Sequence, residues 1–190
     1  MKNARATAFV LLSMLAACGR QDAAFHATDV TGALPALELS MTRANDDKTV
    51  AARDYRGKVA ILYFGYTHCP DICPTTLADL SEALEKLGVR AAEVRVLFVT
   101  VDPARDDLPG LKSYVAAFAP QIDGLRGTPD QLTALTRRYR VAFSVTPGPP
   151  YEVMHSNAVF FFDKTGRARL VATDVSKPDD VTADVRRLME

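Results

Sequence analysis

The chain has 190 residues and carries 23 basic against 23 acidic side chains, for a formal net charge of zero. With 48% hydrophobic and 24% charged residues, the composition fits one globular domain with a packed core and excludes a disordered or fibrous chain. The absence of a basic excess argues against a nucleic-acid partner.

The first residues read as an address. Lys2 and Arg5 precede an apolar run of about twelve residues, Ala6 to Ala17, too short to span a bilayer and of the right length for the apolar core of a secretory signal. Leu15-Ala16-Ala17-Cys18 resembles the bacterial lipobox, whose cysteine is lipidated and becomes the new N-terminus. The competing reading is an ordinary signal with a cysteine near its end. The expected division is a signal at 1–17, a lipidated tether at 18–34 containing a solvated His26, and a folded domain at 35–190. Without Lys2 and Arg5 the balance is 21 basic against 23 acidic. Lipid on Cys18 implies a domain held at a bacterial membrane and facing the periplasm, where thiols oxidise unless protected. It also leaves Cys69 and Cys73 as the cysteines of the domain.

Leu37 to Thr42 alternates and predicts a strand, paired as a hairpin with Thr49-Val50 across the turn Asn45 to Lys48. Asp54 to Lys58 predicts a helical turn closed by Gly57. Val59 to Tyr66 (VAILYFGY) is apolar without alternation, the pattern of a strand buried on both faces. After a cysteine loop, Leu77, Leu80, Leu84 and Leu87 recur at helical spacing within Thr75 to Leu87, with Gly88 as the stop. Val94 to Val101 predicts a second buried strand, ended by Asp102-Pro103. Helices are predicted at Leu111 to Phe118 and Pro129 to Arg140, then a rigid loop at Thr146 to Pro150. Ala158 to Phe162 and Arg169 to Thr173 predict a hairpin, and Val181 to Met189 a closing helix. This is an α/β order: a thioredoxin-like mixed β-sheet with helices on both faces, plus an N-terminal β-hairpin.

The loop reads Gly65-Tyr-Thr-His-Cys-Pro-Asp-Ile-Cys-Pro-Thr-Thr-Leu77. Its cysteines sit between a central strand and a helix N-terminus, whose free N–H groups favour thiolate. Pro70 and Pro74 stiffen it, and Pro74 suits a first helical turn. A structural disulfide is one reading, though so short a ring is a poor staple. Thiolate is both nucleophile and metal ligand, so redox and metal readings stay open. His68 and His155 are the histidines that can join the pair. His68 directly precedes Cys69, so its side chain is expected to point elsewhere. His155 precedes the strand that faces the loop, where oxidoreductases of this fold place a cis-proline, and here Met154-His155-Ser156 stands instead. Two thiolates and an imidazole suit Cu(I), and with a weak further ligand Cu(II). Structural zinc wants a fourth protein ligand, and the sequence offers no obvious one.

Three blocks, Gly65 to Leu77, Thr100 to Asp106 (TVDPARD) and Met154 to Asp163 (MHSNAVFFFD), resemble the Sco/SenC proteins over about Leu37 to the C-terminus. The resemblance implies a membrane-tethered, thioredoxin-fold copper chaperone serving the copper-accepting subunit of cytochrome c oxidase. It implies Cys69, Cys73 and His155 as ligands of copper, Cu(I) or Cu(II), and an Asp-Pro block at Asp102, Pro103, Arg105 and Asp106. Where many members have Asp before the histidine, this chain has Met154; Asp102 and Met154 are candidates for contact with the ligands from behind. The alternative function is a thiol–disulfide oxidoreductase in which Cys69 and Cys73 are catalytic and reduce the acceptor's cysteines. A third is peroxide chemistry with Thr67 and Arg105 beside a reactive cysteine.

Overall fold

The structure is a computed structural model and describes residues 24–190; the signal, Cys18 and the first part of the tether lie outside the described residues. Its strands in chain order are β1 (Thr28–Asp29), β2 (Ser40–Arg43), β3 (Lys48–Ala51), β4 (Val59–Gly65), β5 (Val94–Thr100), β6 (Ile122–Arg126), β7 (Phe143–Thr146), β8 (Glu152–His155), β9 (Val159–Phe162) and β10 (Ala168–Ala172). The helices are α1 (Ile72–Leu87), α2 (Leu108–Ala116), α3 (Pro129–Arg138) and α4 (Pro178–Leu188).

Eight strands form one sheet in the order β1-β10-β9-β4-β5-β6-β2-β3. β4, β5 and β6 run parallel, and the flanking pairs are antiparallel. The apolar runs of β4 and β5 do what their pattern predicts. Val59, Ile61 and Tyr63 face a core with residues of α1, α2 and α4, while Ala60, Leu62 and Phe64 face a second core with α3 and Leu37 to Tyr55. Helices therefore cover both faces, and the predicted N-terminal hairpin is present as β2–β3, extending the sheet beyond β6.

Three features differ from the sequence expectation. First, β6 (IDGLR) was not expected, because Asp123-Gly124 interrupts its apolar run. Asp123 is buried facing Arg43 and Arg95 at 3.6 and 3.9 Å, and Gly124 lets Leu111 of α2 lie against the strand, where a Cβ would meet its Cγ at 2.8 Å. Secondly, the expected rigid loop at 146–150 is the tip of a hairpin, β7–β8, which forms a separate two-stranded sheet. Thirdly, the tether is not free over its described part. β1 pairs with β10, and the N–H groups of His26 and Ala27 donate to the buried Asp184 carboxylate at 2.9 and 2.8 Å. His26 is half exposed with Nδ1 3.4 Å from Asp180, so the solvated reading of its ring holds in part. Among the described residues no helix is long and apolar enough to cross a membrane.

Candidate metal centre

α1 begins at Ile72, earlier than the leucine spacing alone suggests, so Cys73 lies in its first turn and Pro74 directly follows. A proline is tolerated there because the first-turn N–H groups have no helical acceptor. Asp71 stands at the N-cap but makes no side-chain cap bond. The N–H of Cys73 instead donates to Cys69 Sγ at 3.3 Å, so the sulfur of Cys69 takes up one of the helix's free donors. Gly88, with φ +59°, ends the helix.

The two cysteines differ. Cys69 is half-buried and Cys73 fully buried, and both are free thiols. Cys73 Sγ tucks behind β4 at Gly65, where any Cβ would come within 3.0 Å of it. Burial pushes the Cys73 thiol up to about 12, with Cys69 adding to the rise. The expectation that the helix N-terminus favours thiolate at both positions is therefore corrected for Cys73: desolvation outweighs the dipole once the sulfur is inside the first turn rather than ahead of it.

His155 ends β8, and its Nε2 lies 3.3 Å from Cys73 Sγ. Its Nδ1 lies 2.9 Å from the carbonyl oxygen of Ser156. A carbonyl can only accept, so Nδ1 carries the proton, and in the neutral ring the Nε2 lone pair faces the sulfurs. The partner that orients the imidazole is thus a backbone carbonyl, which leaves position 154 free of that duty. Tyr63 and Tyr66 meet the His155 ring edge-on at centroid distances of 6.3 and 5.9 Å. Ligand atoms of Cys69, Cys73 and His155 all lie within 4.8 Å of one another. Two soft sulfurs and one imidazole so placed could hold a metal ion.

The remaining candidates fall outside this triangle. Asp102 is buried at the end of β5, where its carboxylate accepts from Tyr151 Oη at 2.9 Å and from Arg105 Nε. Met154 is 69% exposed, at the edge of an open cleft of about 500 Å³ that Cys69, His155, Tyr66 and Ile72 also line. His68 points away: Nδ1 meets Thr67 Oγ1 at 3.0 Å and Asp106 at 3.4 Å. Thr67 Oγ1 donates to Asp106 at 2.6 Å. Thr67 is thus engaged by Asp106 and Arg105 by Asp102. Sequence reasoning missed Tyr63, Tyr66 and Tyr151. The first two lie in or beside the apolar run of β4 and read there as core, and Tyr151 follows a run of prolines that masks β8.

The SCO1/SenC family model matches residues 40–190. The mitochondrial protein SCO2 homolog of Bos taurus is 37% identical over 141 residues, covering 72% of this chain and 53% of its own length; the chain spans about half the length of the curated relatives it matches. Among solved structures, Bradyrhizobium japonicum ScoI with copper bound superposes with a TM-score of 0.74 at 32% identity, over 81% of this chain and 99% of that one. Apo Sco1 from Thermus thermophilus gives 0.77 at 32% identity, over 87% and 97%. With its thioredoxin-like sheet, its cysteine loop and the histidine that meets it, the chain belongs to the SCO1/SenC family.

Proposed function

We propose that the protein is a copper chaperone that takes up copper on Cys69, Cys73 and His155 and passes it to the copper-accepting subunit of cytochrome c oxidase, while lipid on Cys18 holds it at the periplasmic side of a bacterial membrane. The observation that carries this reading is the Nε2 of His155 beside the Cys73 sulfur at 3.3 Å. The imidazole lone pair adds a third donor atom to the two sulfurs, as a metal ion needs. Copper is cargo here: each thiol gives up its proton as its sulfur–copper bond forms, and the metal leaves by exchange onto the acceptor's ligands. The copper-bound relative from Bradyrhizobium, at 32% identity, supports the same cargo. Met154 puts a thioether at the mouth of the cleft, where the acceptor's ligands must enter.

Copper titration of the reduced full chain tests this. The expected result is one copper per chain and, for Cu(II), a thiolate charge-transfer band. Cys69→Ala, Cys73→Ala and, for Cu(II), His155→Ala each weaken binding by tenfold or more, on the scale of about 10–100-fold that even the partners of ligands command, while the fold survives. Equal Cu(II) affinity in wild type and His155→Ala defeats the assignment.

One observation favours a second reading. Cys69 is the more exposed sulfur and receives a helix N–H, whereas Cys73 is buried behind it, the arrangement of an attacking and a resolving thiol. Reduction of the acceptor's disulfide would leave Cys69 and Cys73 joined as a disulfide here. Undiminished dithiol turnover in His155→Ala, with copper binding lost, separates this activity from the chaperone role.

A further inference from the structure

We propose that Asp102, Arg105 and Tyr151 form a latch that sets where His155 stands, and that the single loop at 100–106 braces both halves of the copper site. The proposal deepens the copper-chaperone reading and rests on it for its copper readouts.

The argument starts from the hairpin that carries the histidine. β7 and β8 pair only with each other, from Phe143↔His155 to Thr146↔Glu152, and a lone two-stranded hairpin is marginal in water. The position of His155 must therefore be fixed from outside the hairpin. The hairpin's own base is closed by the Ser156 N–H, which donates to the Ala142 carbonyl at 2.9 Å, and the outside hold there is half-buried Phe143 and Val153 resting on the second core. At the other end of β8 the fastening is polar. The Tyr151 hydroxyl donates to Asp102 Oδ1 at 2.9 Å, Arg105 Nε donates to Asp102 Oδ2, and the Arg105 guanidinium lies 3.8 Å from the centroid of the Tyr151 ring. The tyrosine is held at its edge and over its face. Arg105 also reaches the Tyr66 ring at 5.8 Å, the ring that packs edge-on against His155.

An Asp-Pro pair that merely ends β5 needs none of this. The turn is closed by the Asp102 backbone carbonyl, which accepts from the N–H groups of Arg105 and Asp106 at 3.1 and 3.0 Å. The carboxylate is 1% exposed, and one oxygen pairs with Arg105 in the turn itself, which offsets the several kcal/mol that burying a lone charge costs. The other oxygen is spent on a residue 49 positions away, and a role at the hairpin accounts for that contact.

The same loop grips the cysteine side. Asp106, also 1% exposed, accepts from the Thr67 N–H at 3.0 Å and from Thr67 Oγ1 at 2.6 Å, two residues before Cys69. Thr100 Oγ1 donates to Asp106 at 2.6 Å and accepts from the Asp102 N–H at 3.0 Å, which ties the Asp106 carboxylate to the backbone of Asp102. Asp106 thus holds the sulfur arm and Asp102 the imidazole arm. Asp102, Arg105 and Tyr151 are positioning residues, since none of them reaches the ligand atoms.

Tyr151→Phe is the test, because it keeps the ring under Arg105 and removes only the hydroxyl. Cu(II) needs the imidazole, whereas two thiolates alone hold Cu(I). In the full chain, Cu(II) affinity falls about tenfold and the nitrogen hyperfine structure of its electron paramagnetic resonance weakens. Cu(I) affinity, by competition with a chelator, moves less than threefold. In the metal-free protein, amide exchange over residues 152–156 speeds up while that of α1 does not. Asp102→Asn produces the same pattern, and the double variant is no worse than the worse single one, since both remove one interaction. Should Asp102→Asn fail to fold, Tyr151→Phe alone decides. Wild-type Cu(II) hyperfine structure and wild-type exchange over 152–156 in Tyr151→Phe overturn the latch. If His155→Ala leaves Cu(II) binding unchanged, it is the copper reading that fails, and the metal-free exchange still reports on the latch.

Discussion

Replacing Gly65 by Ala puts one methyl group where the structure has no room. The built Cβ lies 2.5 and 3.0 Å from Cε2 and Cζ of Phe98 and 3.0 Å from Cys73 Sγ. Carbon atoms settle at about 3.5–4.0 Å, so the ring must retreat by about 1 Å. It is fully buried and backed by Tyr63 and Tyr114 at centroid distances of 6.0 and 5.5 Å, so the movement propagates through three aromatic rings. Overpacking of this kind costs about 1–3 kcal/mol. Taking about 2 kcal/mol, Tm falls by roughly 4–8 °C for a chain of this size. The strand ladder is untouched, because Gly65 lies in β4 opposite Thr100 and its φ is one that alanine adopts. The strain therefore falls on Phe98 and on the sulfur. Thermal unfolding read by circular dichroism gives the stability, and chelator competition gives copper affinity, expected to drop with it. A Phe98→Leu change in the Gly65→Ala background restores part of the stability, a coupling expected of neighbours in contact. Wild-type Tm and wild-type copper affinity in Gly65→Ala would falsify the claim that the Cys73 sulfur owes its place to the missing Cβ.

Two further outcomes follow from the site and from the N-terminal segment. At neutral pH the Cys73 thiol holds its proton, since burial raises it to about 12, and copper must displace that proton. Release on binding means that affinity rises with pH, by about tenfold per unit from this thiol alone at any pH below that value; chelator competition at pH 6, 7 and 8, corrected for the chelator's own titration, should show at least this slope, and a flat profile contradicts it. Asp184→Ala leaves the N–H groups of His26 and Ala27 without their buried acceptor, at about 1–3 kcal/mol. Limited proteolysis followed by intact mass should then show faster cleavage ahead of Thr28, and unchanged protection there refutes the fastening of this segment to α4.

The parts of the fold legible in the sequence are those in which burial is uniform. β4 and β5 are apolar on both faces, and the leucines of α1 share one side, so their periods name them. β6 escaped because its buried aspartate and glycine are explained only by Arg43, Arg95 and Leu111, partners that no local window contains. The β7–β8 hairpin escaped because its strands are only four residues each and no residue of either is fully buried. Of the metal centre, the cysteines were plain from their place between strand and helix, and His155 from its place ahead of a strand facing them. The environment of Cys73 was not legible, because whether a sulfur lies ahead of the first turn or inside it depends on where α1 begins, and Pro70 and Pro74 obscure that start. Nor was the reach of Tyr151 to Asp102, a contact set by tertiary packing across 49 positions.

The third donor atom comes from 82 positions further along the chain than the sulfur it meets. A half-made polypeptide lacks His155, and that imidazole joins the thiols when β9 has docked on β4 and the C-terminal half is in place. Cargo held by all three atoms is therefore a certificate of completed folding, and by linkage it stabilises the finished molecule over every incomplete one.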